Sequence, residues 1–461
     1  MEYLFTERAH LVCPNMCFGI AASLGKSFDK ERIEETVARL VKAHPFLRAR
    51  LGYEKETNSY FYDVKEQSQV QVIFAGEICG GAGDVDDSRK LCEPNRITKA
   101  RETIEEVSEE GCLEPVVEED IITSPKILGV FQKLTARDWN LFNEGLLKIA
   151  IWKAGDTTVL LFVFHHLLAD GRGALGLVQE FADFYVDGKE PKTAPEHLIT
   201  KKDLPANSKL SFISRALVNH ANRQWKKENH QLSYEEYHSF ADKSLQDDDV
   251  EHSLEVVSFD KLAELHAQCK SHEISINDYL LAKMFTEEKA DSIVMACDLR
   301  NQLACYNQGA LGNYATAFSV KLKQEKSADG IASDTSITSA NSADIFSLAQ
   351  KVHNQIQKKL NSPKDLFLVL QCYASLEPGL LDAAMISSRG AFDSKAAKFI
   401  GTSFFNYDKA KGYSITNLGK IESKNIESAF FIPPASPAIK KTQGVLTVNG
   451  VMRICTSQRK I

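Results

Sequence analysis

The sequence predicts an α/β protein, an α+β sandwich built from two halves of similar element content. Three observations carry that expectation. Its 461 residues suffice for two or three domains at roughly 100 to 200 residues each. Segments that read as strands alternate with amphipathic helical runs in both halves. One segment, Val159 to Phe164, is apolar on both faces, as a central strand covered on each side must be.

Taken in order, the first strand is expected over Met16 to Leu24. Ser27, Phe28 and Asp29 are helix-start signals, and Ile33, Val37, Leu40 and Val41 then share one helical face. His44-Pro45 ends that helix, because the residue before a proline is pushed out of the α region. Phe46 to Val64 alternates as strands do. From Gly76 to Pro125 the pattern breaks into Gly80-Gly81, Asp86-Asp87 and a run, Glu102 to Asp120, holding nine acidic and no basic residues. This is expected to be an inserted, partly helical surface segment whose charges form a solvated face. Within it, Cys79 to Asp84 is neither a GxGxxG nor a Walker loop and reads as a flexible turn.

Regular structure resumes with strands over Leu146 to Trp152 and Thr157 to Phe164, joined by a turn at Ala154-Gly155-Asp156. A helix after Gly173 turns Leu177, Val178, Phe181, Phe184 and Tyr185 inward. Asp187-Gly188, Pro191 and Pro195 open a polar stretch reaching about Asp249, with one helical piece near Phe212 to Trp225. The chain is therefore divided into a first lobe at 1–187, a linker at 188–253 and a second lobe at 254–461. The second lobe starts with a strand at Leu254 and a helix from Asp260 to Lys270. Ser275-Ile276-Asn277-Asp278 is a capping-box signature ahead of the apolar run Tyr279 to Phe285. Strands are expected at Ile293 to Cys297 and Tyr314 to Val320, then a Ser/Ala/Asp-rich loop from Ser327 to Asn341. A helix carrying Phe346, Ala349, Val352, His353, Ile356 and Leu360 follows. The last hundred residues read as strands and loops.

Composition excludes several classes. With 43% hydrophobic and 25% charged residues the chain is neither disordered nor collagen-like. A formal net charge of −7 argues against a nucleic-acid binder, which carries a basic field. The 10 cysteines are scattered without CxxC pairs and read as reduced thiols, so neither disulfides nor a structural metal is expected to hold the fold. No Cys has an adjacent base that would make it a nucleophile. The N-terminal residues lack a signal-peptide pattern and no run of ~20 apolar residues could span a bilayer. The expected setting is the cytoplasm, with no membrane span.

The chemistry is expected at His165-His166-Leu167-Leu168-Ala169-Asp170-Gly171, between the most apolar strand and a helix. Ends of buried strands hold side chains rigidly at a cleft. A metal site fits poorly, because adjacent histidines on an extended strand point to opposite faces. Two satisfied core histidines are the bland alternative. A general base needs one imidazole facing a cleft, its tautomer fixed, with a carboxylate to organise the turn; Asp170 and Gly171 supply the carboxylate and the turn.

HHLLADG resembles the HHxxxDG motif of the chloramphenicol-acetyltransferase-like superfamily. That group includes condensation domains of nonribosomal peptide synthesis, alcohol acetyltransferases, polyketide-associated acyltransferases and plant BAHD acyltransferases. His44 to Arg50 is similar to the family's HPxLRxR stretch, and Trp139 to Phe142 with Gly145-Leu146-Leu147 is similar to its approach to the central strand. Asp298-Leu299-Arg300 with Leu311-Gly312-Asn313-Tyr314 resembles its D-x-R and GN segments, and Ile415 to Gly419 its SNLG stretch. A DFGWG segment is missing, which departs from the BAHD branch.

The resemblance implies two chloramphenicol-acetyltransferase-like lobes with an active-site tunnel between them. His166 is then the general base and His165, Asp170 and Gly171 complete the motif. Asp170 pairs structurally with Arg300, and Thr416, Asn417, Gly312 and Asn313 are candidates for oxyanion or substrate contacts. It implies an acyltransferase moving an acyl group from a thioester, acyl-CoA first, to a hydroxyl or amine without a covalent acyl-enzyme. No resident cofactor or metal is expected, coenzyme A thioester being a co-substrate. The expected partners are a small-molecule acceptor and an acyl-CoA or acyl carrier protein, the chain acting as a stand-alone monomer. The alternatives are a condensation-type enzyme fed by a carrier-protein thioester and a non-catalytic ligand-binding member of the fold.

Overall fold

The motif strand, Thr157–His165, lies in the middle of a five-stranded sheet, and every residue from Thr158 to His165 is buried. The computed structural model describes residues 2–14, 16–78, 121–322, 342–405, 407 and 411–460. The acidic run, the Cys79 to Asp84 turn and the Ser327 to Asn341 loop lie outside the described residues.

Sheet order in the first layer is Ile426–Ile432, Cys17–Leu24, Thr157–His165, Leu147–Ala154 and Gln71–Glu77. The motif strand runs antiparallel to both neighbours, with His165 opposite Cys17 and Phe164 opposite Leu147. Cys17–Leu24 is buried along its whole length, the mark of a strand covered on both faces. The helix Lys30–Ala43, capped by Asp29, and the helix Gly171–Asp187, closed by Gly188 in the left-handed region at φ 74°, pack together against this sheet.

A second sheet of six strands runs in the order Ala315–Lys321, Ser292–Asp298, Gly412–Ile421, Ile439–Val448, Val451–Arg459 and Val250–Val257. Its last hairpin turns on Asn449 and Gly450 at φ 49° and 78°, the sequence and dihedrals of a type I′ turn. Behind it lie Phe259–Ser271 and Ile276–Glu288; the capping box of the latter is formed, Ser275 and Asp278 each bonding the other's backbone N–H.

The two halves are not independent. Ile426–Ile432, from the second half, pairs with Cys17–Leu24 and completes the first sheet, Phe430 facing Ala21 across the ladder. It carries Ala429, Phe430, Phe431 and Ile432 into the core of the first half. A division of the chain by sequence position alone does not contain this exchange.

The last hundred residues differ from expectation. Besides four strands they hold the helices Pro363–Leu366, Leu368–Tyr373, Pro378–Ser388 and Lys395–Ser403. Every residue from Gly379 to Ser388 is buried, so the helix has no polar face and shows no helical period to read. The polar linker likewise holds a second helix, Tyr234–Gln246, and the segment after Val64 supplies the edge strand Gln71–Glu77. No helix among the described residues is long and apolar enough to cross a membrane.

Candidate active site

From Thr158 to Asp170 the chain is buried except at His166, which is partly exposed. The two histidines of the motif differ in surroundings because they leave the strand end in different directions. His165 is 4% exposed, and its Nδ1 accepts the Leu167 N–H at 3.2 Å. Burial, with the charges of His166 and Lys148 nearby, pushes its pKa down to about 3. A neutral imidazole, almost fully buried and with one nitrogen occupied by backbone, has the surroundings of a core histidine.

His166 is held by Asn313. The Asn313 amide donates to the carbonyls of His166 and Leu167 at 2.9 and 3.0 Å, which turns its Oδ1 toward His166 Nδ1 at 3.2 Å. An amide oxygen only accepts, so Nδ1 carries the proton and the Nε2 lone pair is free. Burial lowers the His166 pKa from its ordinary value, with opposing contributions from its own backbone, Asp170 and Asn313, and the ring is neutral at pH 7. Asn313 thereby has no amide hydrogen left for an oxyanion; its geometry is that of a residue that sets the tautomer.

Sequence reasoning missed His10. Its ring stacks on His166 with centroids 4.1 Å apart and planes 10° from parallel, while the Phe18 ring meets His166 edge-on at 5.2 Å. His10 comes from the four-residue helix Arg8–Leu11, anchored by the buried Arg8–Asp382 pair at 2.5 Å. Burial, and then the charge of His166, hold its pKa well below the usual histidine value, so it too is neutral. A lone histidine 156 positions before His166 carries no local signal of this contact.

Asp170 organises the turn with four hydrogen bonds. It caps the helix Gly171–Asp187 by accepting Gly173 N–H at 2.8 Å, and it accepts Tyr314 N–H at 2.7 Å. Arg300 reaches it through both terminal nitrogens, each at 3.0 Å, with the two side chains 10% and 4% exposed. Both carboxylate oxygens are thus fully used, and the ion pair joins the motif to the second sheet's loop. Asp170 beside it holds the Arg300 pKa above its ordinary value despite burial. Gly312, at φ 152°, gives its carbonyl to Asp170 N–H at 3.2 Å and is part of this frame. Gly171 leaves room for Leu418: a Cβ there would sit 2.5 Å from Leu418 Cδ2.

Thr416 and Asn417 lie half-buried on Gly412–Ile421, where the ladder shifts register. Asn417 Oδ1 accepts Gly419 N–H at 2.8 Å, and Arg172 ties the bulge to the motif helix through Leu418 O at 2.9 Å. None of the hydrogen bonds among the described residues joins Thr416 or Asn417 to His166. A depression of ≈ 810 Å³ beside Tyr234 and His238 and a small one of ≈ 70 Å³ beside Arg300 and Leu311 are not lined by His166.

The seven free cysteines among the described residues include none with an activated thiol. Burial raises Cys13 to about 12 and Cys297 and Cys305 to about 11.

The family model described as Condensation domain matches residues 113–286, a span that includes the motif. No curated protein matches the chain in sequence. Among solved structures, the condensation domain of the Monacolin K polyketide synthase MokA is similar over 100% of this chain and 92% of its own, at 10% identity and TM-score 0.53. Polyketide synthase associated protein 5 from Mycobacterium tuberculosis is similar over 100% and 93%, at 14% identity and TM-score 0.52. The epimerization domain of the third module of tyrocidine synthetase B is similar over 99% and 88%, at 12% identity and TM-score 0.52. The fold is therefore that of condensation domains, in line with the resemblance of HHLLADG.

Proposed function

From a chain with the condensation-domain fold, we propose an acyltransferase that moves an acyl group from a thioester to a hydroxyl or amine acceptor, with His166 as general base. The single observation that carries this is the Asn313 contact, which leaves an uncharged Nε2 free on the one partly exposed residue of the buried strand end. Fold alone would not suffice, since one of the similar structures is an epimerization domain.

In this mechanism Nε2 removes the acceptor's proton as its oxygen or nitrogen attacks the thioester carbonyl. The imidazolium is stabilised through Nδ1–H and Asn313 Oδ1. The tetrahedral intermediate then collapses, the C–S bond breaks, and the thiolate takes the proton back from His166. No bond forms between acyl group and protein. Positioned proton transfer contributes typically ~10²–10⁴-fold, and orientation of the two substrates supplies much of the rest.

Two donors fit, acyl-CoA and an acyl group on a carrier protein; the Condensation domain match favours the second. The deciding assay follows free-thiol release from acyl-CoA and from an acylated carrier protein, each with a panel of alcohols and amines. Wild type is expected to turn over one donor and His166→Ala to lose turnover by ~10²-fold or more. Equal rates for both proteins would remove His166 from the mechanism, and binding without turnover of any donor would leave a ligand-binding protein.

A further inference from the structure

His197, Asp203 and Cys305 form the one group of three metal-binding side chains found among the described residues: a ring nitrogen, a carboxylate oxygen and Sγ all lie within 4.8 Å of one another. All three residues are partly exposed. They come from two loops distant in sequence, His197 and Asp203 from the segment after the motif helix and Cys305 from the loop between Ser292–Asp298 and Ala315–Lys321.

Asp203 is oriented as ligating carboxylates are. Its Oδ2 accepts Thr200 N–H and Thr200 Oγ1–H, both at 2.7 Å, and meets His197 Nε2 at 3.1 Å. No hydrogen bond among the described residues ends on Oδ1. Thr200 thus fixes the carboxylate from behind while Oδ1 is available. His197 is fixed through its backbone, its carbonyl accepting Tyr314 O–H at 2.8 Å.

A separate observation concerns a buried carboxyl, Glu7. Glu7 is 0% exposed, and neither of its carboxylate oxygens has a hydrogen-bond partner. Burial raises its pKa to about 7, offset only in part by nearby backbone and Thr6 dipoles and by His197. Its charge is felt at Cys305 as well. A buried carboxyl of this kind is neutral when it holds a proton, and a nearby cation would favour its charged form.

We propose that His197, Asp203 and Cys305 bind one divalent transition metal of the zinc class, with water as the fourth ligand. Mixed nitrogen, oxygen and sulfur donors suit Zn²⁺ or Co²⁺ rather than Mg²⁺ or Ca²⁺. Tetrahedral bonds of about 2.0–2.3 Å require the three side chains to close by about an ångström. On binding, the Cys305 S–H bond breaks, sulfur bonds to the metal and the proton passes to solvent, so affinity rises with pH. The consequence is mechanical. The metal would pin the loop that carries Arg300 and, through Tyr314, the backbone N–H that Asp170 accepts.

The test uses full-length protein stripped with a chelator and titrated with Co²⁺, following the thiolate-to-cobalt absorption band. One equivalent is expected, with the band lost in Cys305→Ser, retained in Cys297→Ser, and affinity reduced at least ~10-fold in His197→Ala. In parallel, Zn²⁺ should slow alkylation of Cys305, located by mass spectrometry, and raise the melting temperature of wild type but not of either ligand variant. Absence of the band, its persistence in Cys305→Ser, or equal thermal shifts in wild type and His197→Ala would each overturn the site. None of these readouts depends on acyl transfer.

Discussion

At the residue scale, the site is defined less by the motif histidine than by what surrounds it. In the proposed mechanism Asn313 sets which nitrogen of His166 acts as the base, and the His10 stack bears on how the ring stands. An aromatic stack of this kind is worth ~0.5–1.5 kcal/mol, which bounds its effect on orientation. His10→Ala is expected to lower kcat by up to ~10-fold with KM little changed, and His10→Phe to restore most of the loss. A merely structural role would show instead as a lower melting temperature shared by both variants. The neutral state of His166 has its own signature. Because burial lowers its pKa, kcat/KM should be level through neutral pH and fall only on the acid side, below the ordinary histidine value of about 6.5. An acid limb at or above that value would contradict the assigned environment.

At the scale of elements, the segment His44 to Arg50 shows how a sequence pattern becomes a joint. His44 ends the helix Lys30–Ala43 in extended conformation, as a residue before proline does. Its ring, 2% exposed in the side chain, bridges Glu180 on the motif helix at 2.8 Å and Glu196 at 3.0 Å. Glu196 also accepts Phe46 N–H at 2.7 Å. Burial opposes the charged ring, but the two carboxylates outweigh it and raise the His44 pKa to about 9. A pKa raised on folding means the native state binds the proton more tightly than the unfolded chain. The stabilisation is therefore complete below about 6.5, the unfolded value, and is lost as pH rises through about 9. Denaturant unfolding across pH 6 to 10 should show this decline in wild type, and His44→Gln should be less stable at pH 6 and flatten the profile. A parallel decline in the variant would assign the effect elsewhere.

At the scale of the molecule, two devices tie the halves together: the exchanged strand Ile426–Ile432 and the Asp170–Arg300 pair. The pair is buried and fully hydrogen-bonded, so removing one partner leaves an uncompensated charge. Asp170→Ala or Arg300→Ala is expected to cost ~3–5 kcal/mol, and the double variant distinctly less than the sum. Additive losses in a double-mutant cycle would show that the two groups act separately.

The motif, its strand and the helix after it were legible because each is encoded locally. An apolar run on both faces, a capping aspartate and a glycine turn need no distant partner to be recognised. The partner Arg300 and the family resemblance were legible too, through short motifs in the expected order. What tertiary structure alone decided is everything set by contacts between distant segments. The stack of His10 on His166, the Asn313 contact with His166 and the strand exchange all depend on segments more than a hundred residues apart. Local sequence records the propensity of a segment to form a strand or helix, but the partner of a buried imidazole or sheet edge is chosen when the chain closes around it. The buried helix Pro378–Ser388 was illegible for a related reason: with every face covered, it has no polar side to mark its period.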